Sequence, residues 1–499
     1  MPLNDPKTQY TPVVGMEIHV QLKTKSGMFC TCPNNPDETE PNKNICEICT
    51  GQPGALPFTN QEAVRLGVMV GQALHCKIPE YSKFDRKSYF YPDLPKGYQI
   101  SQYDQPIAEH GHVDIEVNGK TKRIRIRRAH LEEDAGKNVH PEGLPYSLVD
   151  YNRAGTPLLE IVTEPDIESA LEAKIFLQEL RNIVRYIGAS SADMEKGTMR
   201  CEPNISVRKP GQQELPEYKV EVKNINSFRF AESAIEYEVA RQTELLKEDK
   251  IPKQVTMGWN EKQSVTVEQR SKEEANDYRY FPEPDLPVLH FSAEFLTQTE
   301  AAIPELPAAK RKRFVEEYGL PAGDVSALID WKELNEYFEE MVSELQEWME
   351  AEKTPAANFA KYAKMAANWC LQDFSALLNA AKIQPQEARV TPGNLAELIK
   401  LIDQGKISTT AGKQIFAVMF EKGGEPLRIM EDLGLAQVSD AGVIEQAVDQ
   451  VLVGQPKAVA DFKAGQQKSF GFLVGMVMKE LKGKGNPQLV NEILTKKLK

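Results

Sequence analysis

A carboxylate set inside an apolar run restricts what this chain can become. In "TPLLEIVTEP", Glu160 stands among Leu158, Leu159, Ile161 and Val162. Burying it ionised and alone would cost several kcal/mol, so the fold has to bring it a cation or strong hydrogen-bond donors. A second segment, "VVGMEIHVQLK", alternates apolar Val14, Met16, Ile18, Val20 and Leu22 with Gly15, Glu17, His19 and Gln21. That period of two predicts a half-buried strand. Glu17 and His19 then share a face, with Cα atoms roughly 6.5–7 Å apart. Alternation by itself describes a solvated face as well as a site.

At 499 residues the chain exceeds a single core, and two to four domains are expected. No apolar run is long enough to span a bilayer, and "MPLNDPKTQY" has the build of neither a signal peptide nor an organelle presequence, so a cytoplasmic protein without membrane partners is expected. A formal charge of -13 argues against nonspecific coating of nucleic acid, while leaving room for local basic patches. Four of the seven cysteines form "CTCPNNPDETEPNKNICEIC", a C-x-C-x13-C-x2-C pattern. Cys30, Cys32, Cys46 and Cys49 therefore suit one tetrahedral zinc in a reducing compartment. Four thiolates leave no open position, so this Zn2+ is expected to be structural.

All seven histidines lie at or before His290, and the chain beyond residue 300 has one cysteine. Groups suited to acid, base or ligand work are thus concentrated in the first part. There, Asn118-Gly119 in "HVDIEVNGKTKRIRIRR" marks a hairpin. "DIESALEAKIFLQELRNIVRYIG" reads as a helix stopping at Gly188. The Pro-dense "RYFPEPDLPVLHF" and "AIPELPAAKRKRF" look like the exit from this domain. Later segments such as "ALIDWKELNEYFEEMVSELQEWMEAEK" have helical periodicity, and a second break is expected near "QEARVTPGNLAELIKLIDQGKIS".

Further acids recur in strand-like stretches: Glu132, Glu133 and Asp134 in "HLEEDAGK", Glu202 beside Arg200 in "GTMRCEPNISVR", and Glu221 beside Lys223 in "YKVEVKNINSF". Each alone is ordinary surface. Together they are suitable ligands for a magnesium ion that keeps positions for water and phosphate, as an ATP-using centre requires. A neutral imidazole such as His19 is a less usual magnesium ligand. The chain has no G-x-x-x-x-G-K-[ST] and no G-x-G-x-x-G, so a P-loop or kinase-type nucleotide site is not indicated. Nor does it have the Gly/Ser-rich stretch of a glutaminase.

The blocks "GMEIHVQLKT", "KFDRKSYFYPDLPKGYQISQYDQPI", "HLEEDAGK", "LVDYNRAGTPLLEIVTEPDI", "GTMRCEPNISVR", "EVKNINSFRF" and "NDYRYFPEPDLP" resemble those of the B subunits of tRNA-dependent amidotransferases, the GatB family. A weaker match continues through "GFLVGMVMKELKGKGNPQLVNEIL". The resemblance implies an α+β protein: a cradle-shaped α/β catalytic domain over residues 1–294 with the zinc loop at 30–49, a helical domain over 295–407, and an all-α, YqeY-like tRNA-binding tail over 408–499. It also implies a reaction. ATP phosphorylates the side-chain carboxylate of Glu-tRNA(Gln), Asp-tRNA(Asn) or both, and ammonia then displaces phosphate. An amidase-type glutaminase, the A subunit, would supply the ammonia, and a small C subunit would complete a heterotrimer.

Carried onto this sequence, the family's Mg2+ site falls on His19, Glu133 and Glu160, with Glu17, Glu202 and Glu221 around the same pocket. Glu17 and Glu202 are also expected to contact the nucleotide, and Arg86 and Lys87 in "FDRKSYFYPD" are the candidates for its phosphates. Two other readings stay open: a non-catalytic, zinc-containing tRNA-binding scaffold, and the related archaeal glutamate-specific E subunit. The latter carries an inserted domain not found here. From Gln455 to Lys499 nine lysines face three acids, a local charge of +6, and the glycines of "KELKGKGNPQ" suggest close approach to tRNA phosphates.

Overall fold

The alternation around Glu17 becomes a strand, β1 (Thr11–Gln21), with Val14, Met16, Ile18 and Val20 buried and Glu17 and His19 half-buried on the other face. The computed structural model describes residues 9–141, 143–271, 277–355, 358–437, 441–481 and 484–498. The chain divides into two compact units, residues 1–307 and 308–499.

In the first unit β1 lies inside an eight-stranded sheet. The other strands are β2 (Ala108–Val117), β3 (Lys120–Glu133), β4 (Pro157–Thr163), β5 (Met199–Arg208), β6 (Val220–Lys223), β7 (Val255–Asn260) and β8 (Val265–Ser271). Their order across the sheet is β8-β7-β6-β5-β1-β4-β3-β2. Neighbours are antiparallel except β6 and β7. The β2–β3 connection is the expected Asn118-Gly119 turn, with φ of 51° and 74°. Two left-handed residues match the twist of the strands they join.

Three helices cover the apolar face: α1 (Gln61–Ala73), α2 (Ala170–Tyr186) and α3 (Phe228–Lys247). Each begins at a polar cap, with Asn60 Oδ1, Ser169 Oγ and Ser227 Oγ accepting from the backbone N–H three residues on, at 3.1, 3.2 and 3.1 Å. Phe176, Leu177 and Leu180 of α2 and Ala231, Ala234 and Ile235 of α3 join the strand side chains in one core. On α1, a Cβ at Gly71 would lie 2.7 Å from Ala108 Cβ, so glycine sets how near that helix comes to β2. With the apolar face filled, the ionisable residues are left on the other.

The expected boundary at 294 falls within the helix Ala293–Ala301, which is tied to α1 by Gln72 Nε2 donating to Leu296 O at 2.8 Å. The second unit is helical. Its segments include Lys332–Ala351, whose Leu334, Phe338, Met341 and Leu345 are buried, and Pro392–Asp403. The last helices hold a separate cluster of Ile444, Val448, Leu473, Val477, Val490 and Leu494. Among the described residues no helix is long and apolar enough to cross a membrane.

Candidate active site

Cross-strand register assembles the polar face. His19 of β1 is paired with Glu160 of β4, and Glu160 with His130 of β3. On the other side His19 is opposite Arg200 and Glu17 opposite Glu202 on β5, while Asn204 is opposite Glu221 on β6. Glu160 thus has an imidazole on each flank, which answers the cost of placing a carboxylate in an apolar strand.

His19 Nε2 lies 3.5 Å from Glu160 Oε2 and 3.7 Å from Glu132 Oε1; His130 Nε2 lies 3.1 Å from Glu160 Oε2 and 3.7 Å from Glu132 Oε2. Burial alone would lower the His19 pKa, but Glu160 and Glu132 outweigh it and raise it to about 9. His130 is raised against the same burial by the same carboxylates. Glu160 is held well below the usual carboxylate range because the two imidazoles overcome its desolvation. Imidazole and carboxylate thus attract one another on this face, and a divalent ion would be held by the same carboxylates.

One ligand atom each from His19, Glu132 and Glu160 lies within 4.8 Å of the others, and so does one each from Glu17, Glu202 and Glu221. In the second group Asn204 Nδ2 donates to Glu17 Oε1 at 2.9 Å, Lys223 Nζ lies 2.6 Å from Glu202 and 3.3 Å from Glu221, and Thr256 Oγ1 donates to Glu221 at 2.9 Å. Burial and the facing Glu160 and Glu221 carboxylates raise the Glu17 pKa. His130 Nδ1 and Asn204 Oδ1 are buried without a hydrogen-bond partner among the described residues. The oxygen and imidazole donors, with polar atoms still unused beside them, fit a hard divalent cation such as magnesium.

Glu133 is not brought into this cluster. It accepts from Lys96 Nζ and, at 2.9 Å, from Ile100 N, on the opposite face of β3 from His130 and Glu132. The place expected for Glu133 is taken by Glu132, and His130 was not anticipated at all. Alternation could have paired His130 with Glu132, but β3 is bulged between Ile126 and Arg128, so counting from the start of the strand gives the wrong parity.

The two candidate phosphate contacts differ. Arg86 Nε and Nη2 donate to Glu283 at 2.6 and 2.8 Å, Nη2 also to Asp285 at 3.1 Å, and the guanidinium stacks 4.4 Å from the Tyr98 ring centroid. That arrangement occupies Arg86 in joining two short strands. Lys87 Nζ lies 4.9 Å from the Tyr278 centroid and 5.9 Å from that of Tyr89. Its pKa is raised against burial by Glu132, Tyr280 and Glu160, which places it in the field of the site.

The cysteines converge independently. Sulfur atoms of Cys30, Cys32, Cys46 and Cys49 all lie within 4.8 Å of one another, with Cys32 Sγ and Cys49 Sγ 4.0 Å apart. Thiolates about 2.3 Å from a central zinc would be spaced about 3.8 Å apart, so the cluster could hold the ion with little adjustment. Burial raises the Cys32 pKa to about 12, while hydrogen bonding from Cys30 lowers that of Cys49 to about 6. The loop is fastened by Asn152 Oδ1, which accepts from Lys43 N and Asn44 N at 2.8 Å, and by Asp150 Oδ1, which accepts from Asn42 N at 3.0 Å. It then forms one wall of a cleft of about 1170 Å³, with Asn34 and Glu38 on that wall and Arg200, Glu202 and Lys223 on the sheet side.

In the tail, Lys482 and Gly483 of "KELKGKGNPQ" lie outside the described residues. Gly485 is buried, and a Cβ there would meet Leu481 Cδ1 at 2.5 Å, so packing accounts for that glycine. Lys497 is paired with Glu445 and Asp449 at 2.8 and 2.7 Å.

Comparison with known proteins covers nearly all of these elements. Residues 12–297 match the GatB/GatE catalytic domain, and residues 336–498 match the GatB domain. The chain is 49% identical over 497 residues to the B subunit of the aspartyl/glutamyl-tRNA(Asn/Gln) amidotransferase of Thermotoga maritima, covering 98% of this chain and 99% of that one. Subunits of the same name from Carboxydothermus hydrogenoformans and Persephonella marina are 46% and 47% identical over 493 and 491 residues, with 98% of this chain and 99% and 100% of theirs covered.

Proposed function

The chain belongs to the GatB family, and from that premise we propose that it activates the side-chain carboxylate of Glu-tRNA(Gln), Asp-tRNA(Asn) or both with ATP and directs ammonia to the activated carbon. The observation that carries the reading is the convergence of His19, Glu132 and Glu160 beside Glu17, Glu202 and Glu221. A passive scaffold has no use for two ligand clusters on one sheet face.

A free carboxylate is a poor acyl donor at neutral pH. In the first step its oxygen bonds to the γ-phosphorus, the bond from that phosphorus to the bridging oxygen breaks, and ADP leaves. Ammonia nitrogen then bonds to the acyl carbon, inorganic phosphate departs and a proton is released. His19, Glu132 and Glu160 would hold a magnesium ion, with Glu17, Glu202 and Glu221 as further metal or nucleotide contacts. The ion, when bound, offsets charge on the phosphate oxygens. The protein's own part is alignment and charge neutralisation. Lys87 contributes a fixed positive charge beside Glu132 and Glu160, and the rings of Tyr89 and Tyr278 limit water around it.

We assign ammonia production to an amidase-type A subunit, and joining of the two to a small C subunit, in a cytoplasmic heterotrimer. The cysteine loop carries a structural zinc that shapes the cleft wall. Residues from 308 to about 407 form a connecting helical domain, and residues 408–499 a tail that contacts the tRNA body. Deleting the tail from about residue 410 should weaken tRNA binding and flatten its salt dependence, with glutaminase activity retained; unchanged binding across salt concentrations refutes the tail assignment. The main reading is tested by giving the purified assembly each misacylated tRNA with ATP and glutamine. ADP release coupled to amide formation is expected, and amide formation without ATP consumption refutes it.

A further inference from the structure

The geometry points to Arg200 as the guanidinium that meets the transferred phosphoryl group, presented to the cleft by the buried Asp134; this inference rests on the ATP-dependent reading above. Arg200 is directly opposite His19 in the β1–β5 register, and Glu202, two residues along the same strand, is opposite Glu17. It therefore stands on the face that carries both ligand clusters. It also lines the 1170 Å³ cleft together with Glu202 and Lys223.

Only one edge of this guanidinium is used. Arg200 Nη2 donates to Asp134 Oδ2 at 2.6 Å, whereas the buried Nε and Nη1 have no partner among the described residues. Its side chain remains 33% exposed. Asp134 is itself held on several sides: Gln21 Nε2 donates to Oδ2 at 3.0 Å, Ala135 N to Oδ1 at 3.0 Å, and Arg153 Nε lies 3.6 Å from Oδ2. An aspartate so restrained fixes the plane of its partner.

Four neighbouring cations have other duties. Arg86 is taken by Glu283 and Asp285, Lys96 by Glu133, and Arg153 donates to the carbonyls of Ala135 and Gly136. Lys223 sits between Glu202 and Glu221. Arg200 stands on the sheet face itself, opposite His19, with Nη1 unpaired among the described residues, and a planar guanidinium held this way suits phosphate oxygens. Donors positioned in advance, where phosphoryl charge redistributes, need no reorganisation during transfer.

The test is equilibrium binding of AMP, ADP and a nonhydrolysable ATP analogue to the assembled amidotransferase with magnesium, comparing wild type with Arg200→Gln and Arg200→Lys. Arg200→Gln should weaken binding of the analogue about ten- to a hundredfold while leaving AMP binding unchanged. Arg200→Lys, which keeps the charge but loses the fork, should lose about three- to tenfold. Arg153 remains near Asp134 in both variants, so the aspartate keeps a cation. Unchanged analogue affinity overturns the inference, as does an equal loss for AMP and analogue, which would mark a damaged cleft. If Arg200→Gln does not assemble, Arg200→Lys decides alone by the same criteria. If wild type itself does not prefer the triphosphate to AMP, the ATP reading fails first, and that outcome is distinct from a failure of Arg200.

Discussion

Two of the ligand clusters of the first unit, the cysteines and the histidine–carboxylate set, each bring their atoms within 4.8 Å of one another but are made in opposite ways. The cysteine cluster comes from one loop of 20 residues, Cys30 to Cys49, and uses four soft ligands that complete a tetrahedron. The histidine–carboxylate cluster comes from β1, β3 and β4, separated by up to 141 residues from His19 to Glu160, and offers two hard carboxylates and one imidazole that would leave coordination positions free. A closed, local site can stabilise the chain that forms it. An open site on neighbouring strands depends on a fold that already exists and can accept a substrate. The contrast supports the proposed division, with shape given by one cluster and chemistry by the other.

The largest effect expected is on the open cluster. His19→Ala or Glu160→Ala should lower tRNA-dependent ATP hydrolysis by more than about a hundredfold, while the partner's basal glutamine hydrolysis persists. Turnover at the wild-type rate in both variants would remove the magnesium assignment and, with it, the contrast.

Next comes a comparison of adjacent residues. Glu132→Gln should match those losses with little change in thermal stability. Glu133→Gln should instead destabilise the protein by about 3–5 kcal/mol, because it leaves the buried Lys96 without its carboxylate. Thermal melts and ATPase assays of both variants separate the two faces of β3; a reversed pattern would return the metal to Glu133.

For the closed cluster, metal analysis of the wild type should find about one zinc per chain. Cys46→Ser should lose that zinc and a few kcal/mol of stability, yet keep ATP turnover within about tenfold when assayed well below its melting temperature. A zinc-free wild type after expression in zinc-replete medium would contradict the structural role. The smallest effect is expected from Thr256→Val, which removes the hydroxyl donor to Glu221. It should raise the magnesium concentration needed for half-maximal ATPase about tenfold. No change would place Glu221 outside the metal's surroundings.

Much of this organisation was legible in local sequence, because the interactions concerned are local. The strand of alternating residues 14–22, the Asn118-Gly119 turn, the helix ending before Gly188 and the cysteine set each depend on neighbours within a few to twenty residues. The need of Glu160 for a counter-charge was also readable, since desolvation follows from the apolar residues beside it. What supplies that charge was not. His130 and His19 reach Glu160 from two different strands, and nothing near residue 160 names them.

The same limit explains Arg86, whose partners Glu283 and Asp285 lie almost 200 residues further on and turn a plausible phosphate contact into a strand fastener. It explains Glu133 as well. Ile124 and Ile126 are buried at even positions of β3, Ala129 and Leu131 at odd ones, and the bulge between the two pairs exchanges the faces. By itself the sequence determined which residue types were available, which segments alternate, and where a buried charge would need help. Only the tertiary structure decided which carboxylate of the pair faces His19, because an added residue in one strand is registered by the hydrogen bonds of its neighbour, and a shift of one position moves a side chain through the sheet.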